Sequence, residues 1–198
     1  MNAAGREPLR LLFRKLDPFR KHEPVFGAAL GGVPLSLRPF WITADLFIVN
    51  QWQLPGSHPR RRMLKHFKDT LESDNGQSLV VVMQDQPVLQ ADLYRLQRND
   101  EFPMPVLPGD AQLHFMAAPA TIARKSLFTG ALQVCLSYFF SFEGAERVFT
   151  RQPGGAYAHY PPIEPAGFVP LKSRFDEAGN GVLYGCMRRD WEMRNKEI

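Results

Sequence analysis

The stretch from Ser78 to Phe140 limits what this chain can fold into more than any other part of it. Ser78–Gln84 is rich in β-branched residues, Val88–Leu96 alternates in character, and Asp110–Ala117 alternates again. A period of two sends successive side chains to opposite faces of a strand. A turn at Asp85-Gln86-Pro87 separates the first two segments. A loop from Arg98 to Gly109, carrying Pro103, Pro105 and Pro108, separates the second from the third. Three such segments joined by turns predict an antiparallel meander. Thr121–Phe140 follows, with Ile122, Leu127, Ala131, Leu132, Cys135, Leu136 and Phe139 on one broad face. That face predicts a long, largely buried helix behind the third strand. Strands backed by such a helix make an α+β domain.

The flanking segments extend this order. Pro34–Phe40 alternates and reads as a first strand. Thr43 is placed to cap a helix through Gln51 that carries Leu46, Phe47 and Val49. His58–Ser73 reads as a basic helix with Met63, Leu64, Phe67 and Leu71 on one face, ending at the Asp74-Asn75-Gly76 turn. Arg147–Thr150 is a short strand, and Pro161-Pro162 makes Gln152–Pro165 irregular. Gly167–Phe175 and Val182–Trp191 read as closing strands around a turn at Glu177–Gly181. The expected order is β-α-α-β-β-β-α-β-loop-β-β. Residues 1–32 read as a helical appendage, with Leu9, Leu12, Phe13 and Leu16 opposite Arg10, Arg14 and Lys15, stopped by Pro18. Residues 33–198 read as a single domain.

Composition removes several classes. The chain has 198 residues, 44% hydrophobic and 22% charged, which suits a folded domain. The longest apolar run is Leu79–Met83, far short of the ~20 residues of a membrane span. No uninterrupted apolar stretch of a signal peptide stands near the N-terminus. Cys135 and Cys186 are far apart and without metal spacing, which makes a reducing cytoplasm the expectation. The five histidines, at 22, 58, 66, 114 and 159, have no ligand spacing, so no metal is expected. Phosphate-binding glycine loops, the nucleophile-elbow motif and the zinc-protease motif do not occur. A net charge of +4 is modest and suits an anionic ligand as well as anything larger. Arg60-Arg61-Arg62, Lys65 and Lys68 form a basic run, either a solvated helix face or a contact for phosphate or an acidic partner. It lacks the interleaved aromatics of a nucleic-acid surface. A monomer and a homodimer both fit.

Four local stretches then carry a resemblance. They are Leu37-Arg38-Pro39-Phe40 with Asp45-Leu46 and Gln51-Trp52; Gln86-Pro87-Val88 with Asp92-Leu93-Tyr94; Asp110-Ala111-Gln112-Leu113-His114; and Ala166-Gly167-Phe168. In this order and spacing the chain resembles the GCN5-related N-acyltransferases over about residues 33 to 191. Within them it resembles the siderophore-biosynthesis branch. The fold so implied is a central mixed, mostly antiparallel sheet flanked by helices. The implied co-substrate is acetyl-CoA or another acyl-CoA. The implied acceptor is a small amine or hydroxylamine such as N-hydroxylysine or N-hydroxyornithine.

His114 sits mid-strand on the face of Gln112 and Met116. By itself it reads either as a packed strand histidine or as a base titrating near neutrality. The resemblance implies the second. It also implies Asp110 as its companion, Phe115, Met116 and Ala117 along pantetheine, and Arg124, Lys125 and Ser126 at the pyrophosphate. Trp41, Trp52, Asp92 and Tyr160 are implied on the acceptor side. The chain departs from the pattern in three places. The glycine-rich turn before the long helix is replaced by Ala120-Thr121-Ile122-Ala123-Arg124-Lys125-Ser126. The carboxylate expected after the next strand is missing from Arg151-Gln152-Pro153-Gly154-Gly155-Ala156. The helix before Ala166-Gly167-Phe168 is broken by Pro161-Pro162, leaving Tyr157, His159 and Tyr160 as substitutes in proton transfer. These departures keep open a catalytically silent, acyltransferase-like scaffold domain, and an enzyme acting on a protein or another amine.

Overall fold

Among the described residues the strands assemble into one eight-stranded sheet. The strands are β1 (Phe26–Leu30), β2 (Val33–Pro39), β3 (Gly76–Met83), β4 (Gln86–Arg95), β5 (Asp110–Ala117), β6 (Arg147–Gln152), β7 (Val169–Pro170) and β8 (Val182–Met187). Their spatial order is β1-β2-β3-β4-β5-β6-β8-β7. Every neighbouring pair is antiparallel except β5 and β6, which are parallel. Among the described residues five helices flank the sheet: α1 (Ile42–Asn50), α2 (Arg60–Glu72), α3 (Pro119–Ile122), α4 (Lys125–Phe140) and α5 (Arg188–Asn195). The computed structural model describes residues 7–13, 23–30, 32–52, 60–97, 104–152, 160–171 and 181–195.

Both faces of the sheet are covered. Leu79 and Val81 of β3 join one core with Leu35, Leu37 and the buried side of α4. Val80 and Val82 join a second core with Phe40, Leu46, Val49, Met63 and Phe67, beneath α1 and α2. A strand covered on both faces has no polar side to show, hence the unbroken apolar run of β3. Phe40 and Phe67 stack with centroids 4.1 Å apart and hold α2 on the sheet. Burying each ring is worth about 2 kcal/mol.

Several elements differ from the sequence expectations. β1 lies in the span read as a helical appendage, and it pairs with β2 from Phe26↔Leu37 to Leu30↔Val33. Leu9–Leu11 is a single 3-10 turn, and Leu12 and Phe13 are buried in the larger core. Residues 14–22 lie outside the described residues. The β3–β4 turn is Gln84-Asp85, at φ 49° and 63°, so Gln86 and Pro87 already belong to β4. Two positive φ angles match the right-handed twist of a tight hairpin. α1 is capped by Asp45 rather than Thr43: Asp45 Oδ2 accepts the Trp41 amide at 2.7 Å, and its carboxylate grips Arg38 with two bonds of 2.7 Å.

The expected helix Thr121–Phe140 is two helices. Arg124 leaves helical backbone at φ −109° and ψ 87°, and α4 starts afresh behind it. The expected strand Val182–Trp191 stops at Met187 because Arg188 turns into the fold. Its guanidinium donates to the carbonyls of Phe140, Phe142 and Ala145 at 2.7, 2.5 and 2.5 Å. These carbonyls lie at and just beyond the end of α4, where intrahelical donors run out. β7 is only two residues long, and 172–180 lie outside the described residues.

Candidate functional site

The parallel pair creates the site. β5 and β6 match at only three positions, Asp110↔Arg147, Ala111↔Val148 and Gln112↔Phe149. β5 continues to Ala117 on β4, and β6 continues to Gln152 on β8, so the two strands part beyond Gln112. The base of the resulting wedge is closed tightly. Gly109 has φ +92°, and a Cβ there would lie 1.9 Å from the Gly144 carbonyl oxygen, so no other residue fits. The Gly109 carbonyl accepts the Glu146 amide at 3.2 Å. Asp110 accepts Arg147 Nε and Nη2 at 2.8 and 2.6 Å, and the Leu107 amide at 2.7 Å. From Leu113 on, the edge of β5 that faces β6 has no strand partner among the described residues, and such an edge can hydrogen-bond an extended ligand.

Aromatic rings line the α4 side of the wedge. Phe115 meets Phe128 and Tyr160 edge to face at 5.8 and 5.6 Å, and Phe128 lies 5.9 Å from Tyr160. The Tyr160 hydroxyl accepts the Ala117 amide, while burial, the stronger effect, pushes its pKa up. A short way along the chain, Arg124, Lys125 and Ser126 are exposed at the start of α4, and Arg124 provides no side-chain cap. The first amides of a helix have no acceptor within it and bear its positive dipole end. Two cations beside them make this corner suited to an anion.

The opposite face carries the titratable groups. Asp92 stands across from His114 in the β4–β5 register, and Tyr94 across from Gln112. Asp92 is buried; its two oxygens take His66 Nε2 of α2 at 2.9 Å and Gln90 Nε2 at 2.7 Å. The Tyr94 hydroxyl is 2.9 Å from Thr70 Oγ1 and 3.3 Å from His66 Nε2. The Tyr94 ring packs 5.3 Å from the His114 ring. His114 is open to water, yet the cleft walls crowd it. Their desolvation lowers its pKa, Asp92 opposes this, and His66 and Arg151 add to it. His66 moves the other way, raised first by its hydrogen bond to Asp92 against a smaller effect of burial. The two imidazoles of this cleft are thus pushed in opposite directions.

The structure brings together only part of the residue set read from the sequence. His114 and Asp92 share one cleft, and Phe115, Ala117 and Tyr160 share the wedge. Met116 points away from Phe115, toward the core under α1 and α2. Asp110 shares the face of His114 but is buried and fully engaged with Arg147, at the closed end of the wedge. It holds the strands there. Trp41 is exposed at the head of α1, and Trp52 packs against the second core. Tyr157 and His159 lie outside the described residues. His66, Thr70, Gln90 and Tyr94 had no assigned role. Alternation of β4 would have put Gln90 and Tyr94 beside Asp92. His66 reaches the cleft only through the docking of α2. Of the basic run, Arg61, Arg62, Lys65 and Lys68 are exposed, and Lys65 pairs with Asp69.

Among the described residues the sheet is mixed, parts at its one parallel pair and carries helices on both faces, an arrangement that matches the GCN5-related N-acetyltransferase-like α+β fold. Among solved structures, an uncharacterised protein from Bacillus halodurans superposes with a TM-score of 0.69 at 17% identity, covering 85% of this chain and 93% of that one. The aminoglycoside acetyltransferase AAC(6')-Ib, solved with paromomycin and acetyl-CoA, gives 0.61 at 16% identity over 80% of this chain and 96% of that one. A spermidine N-acetyltransferase SpeG chimera from Vibrio cholerae and hSSAT gives 0.60 at 15%, over 80% and 98%. No protein-family model and no curated protein sequence matches the chain. Among the described residues no helix is long and apolar enough to cross a membrane, and no cluster of three metal-ligating side chains occurs.

Proposed function

We propose that this protein transfers an acetyl or other small acyl group from acyl-CoA to the nitrogen of a small amine or hydroxylamine. The parting of β5 and β6, with His114 on one side of the mouth and the unpaired β5 edge on the other, carries the reading. The same fold holds acetyl-CoA in AAC(6')-Ib. Pantetheine would extend along the β5 edge from Leu113 to Phe115, with Tyr160 already on the Ala117 amide, and the pyrophosphate would meet Arg124, Lys125 and the first amides of α4. The acceptor would enter from the side of α2 and β4.

His114 removes a proton from the acceptor nitrogen, and its lowered pKa keeps it neutral and able to do so at pH 7. The nitrogen lone pair attacks the thioester carbonyl carbon, and the C–S bond breaks as the tetrahedral intermediate collapses. The electron pair leaves on sulfur. Tyr160, whose burial raises its pKa and which accepts from the Ala117 amide, would donate a proton to the departing thiolate. Acyl transfer is direct, with no covalent enzyme intermediate.

The finer reading is an N-hydroxylysine or N-hydroxyornithine acceptor of siderophore assembly. It rests on the Arg38–Asp45, Asp92–Tyr94 and Asp110–His114 stretches. A silent scaffold domain is the second reading, favoured by the glycine-poor approach to α4. A thiol-release assay with acetyl-CoA against lysine, ornithine, their N-hydroxy forms, spermidine and an aminoglycoside separates them. Turnover with at least one acceptor is expected, lowered about 10²- to 10⁴-fold in His114→Ala. Equal turnover by His114→Ala would refute the role given to His114, and silence with every acceptor would favour the scaffold.

A further inference from the structure

We propose that His66, held on Asp92, is a charge-tuning residue of this site that keeps His114 unprotonated and available as the base. The inference rests on the acyltransfer reading for its purpose, but not for its test. Its grounds are geometric. Asp92 is the carboxylate directly across the strands from His114, and a buried carboxylate beside an imidazole would ordinarily load it with a proton. Here both Asp92 oxygens are already committed, one to His66 Nε2 at 2.9 Å and one to Gln90 at 2.7 Å. The Tyr94 ring packs against both imidazoles, its centroid 6.4 Å from that of His66 and 5.3 Å from that of His114. The second proton is therefore stored on His66, where the carboxylate can hold it, and its charge repels a further proton on His114.

Among the described residues, the titratable and charged groups facing His114 come from four elements. β4 supplies Asp92 and Tyr94, α2 supplies His66, and β6 supplies Arg151. On β5 itself Asp110 shares its face and is bound to Arg147. On α2, Asp69 adds to the hold on His66, and its own exposed partner is Lys65. Tyr94 is no competing anion, since burial and Asp92 both push its pKa up. Arg151 acts in the same direction as His66. Among the described groups that face His114, His66 is the other imidazole, the side chain type whose charge changes near neutral pH, which makes its pairing with Asp92 the adjustable element.

The test is an NMR titration of the histidine ring signals in the intact protein, compared with the pH profile of kcat/KM. In the wild type His114 should titrate below His66. His66→Gln keeps a hydrogen-bonding side chain but loses the charge and leaves Asp92 facing His114 alone. Its His114 midpoint should rise by roughly half to one pH unit. The acidic limb of kcat/KM should follow, so that turnover on that limb falls about three- to tenfold. His66→Lys restores a cation and should bring the midpoint back towards the wild-type value. In His66→Gln/Asp92→Asn the two lost charges should cancel and the shift should largely disappear. A wild-type His114 that titrates above His66 would overturn the proposal without needing any variant to fold. So would a His66→Gln limb that stays in place while the plateau falls, the mark of a purely structural role. Because the ring titration needs no substrate, an absence of acyl transfer would count against the proposed function and leave this inference to be decided by the midpoints.

Discussion

Asp110→Ala should unfold the base of the wedge without removing a proton carrier. The carboxylate accepts two bonds from Arg147 and one from the Leu107 amide, and it is almost wholly buried. All three are hydrogen bonds to a charged group, which contribute about 1.5–3 kcal/mol each. Arg147 is partly exposed and can turn to water once its partner is gone, which discounts the sum to about 3 kcal/mol. For a chain of this size the loss lowers Tm by roughly 6–12 °C. Urea unfolding of Asp110→Ala, Arg147→Met and the double variant forms a cycle, with an expected coupling of about 2 kcal/mol. At a temperature where all are folded, the acidic limb of kcat/KM should stay where the wild type has it. A stability loss under about 1 kcal/mol, or a displaced limb with intact stability, would refute the assignment of Asp110 to the frame of the wedge.

Arg124→Ala/Lys125→Ala should weaken CoA about 10- to 30-fold by calorimetry, at about 1 kcal/mol for each lost cation, and leave the unfolding midpoint unchanged. Arg188→Met should cost about 3–5 kcal/mol in urea unfolding, because the carbonyls of Phe140, Phe142 and Ala145 lose their donor in a buried place. Cys135 and Cys186 are buried, which pushes both thiols up to about 12. Both should resist a thiol-specific disulfide reagent at pH 8 in the native protein and react at once in denaturant, followed by absorbance.

The parts of the fold that could be read from the sequence are those whose signal is local. The alternation of Asp110–Ala117 located β5 to the residue and put Gln112, His114 and Met116 on one face. The apolar face of α4 placed it on the sheet. β1 escaped because Phe26-Gly27-Ala28-Ala29-Leu30 has no polar alternation, and only its pairing with β2 makes it a strand. The break before α4 escaped because Ala123 and Arg124 are both good helix formers, so the extended backbone of Arg124 has no local cause in composition. In the site the limit is separation along the chain. His66 meets Asp92 from 26 residues away, and Arg147 meets Asp110 from 37. Asp110 has the right face for a catalytic carboxylate, and only its distant partner reveals that it is spent on the frame. Likewise nothing local says that the β5–β6 pair stops after three positions.

The measurement that bears most directly on the whole account is calorimetric titration of the wild-type protein with acetyl-CoA and with CoA. The wedge, the unpaired edge of β5 and the cationic start of α4 predict binding of one molecule per chain with Kd in the micromolar range, about −8 kcal/mol. Absence of binding to either at millimolar concentration would contradict the claim that the parted strands hold an acyl-CoA.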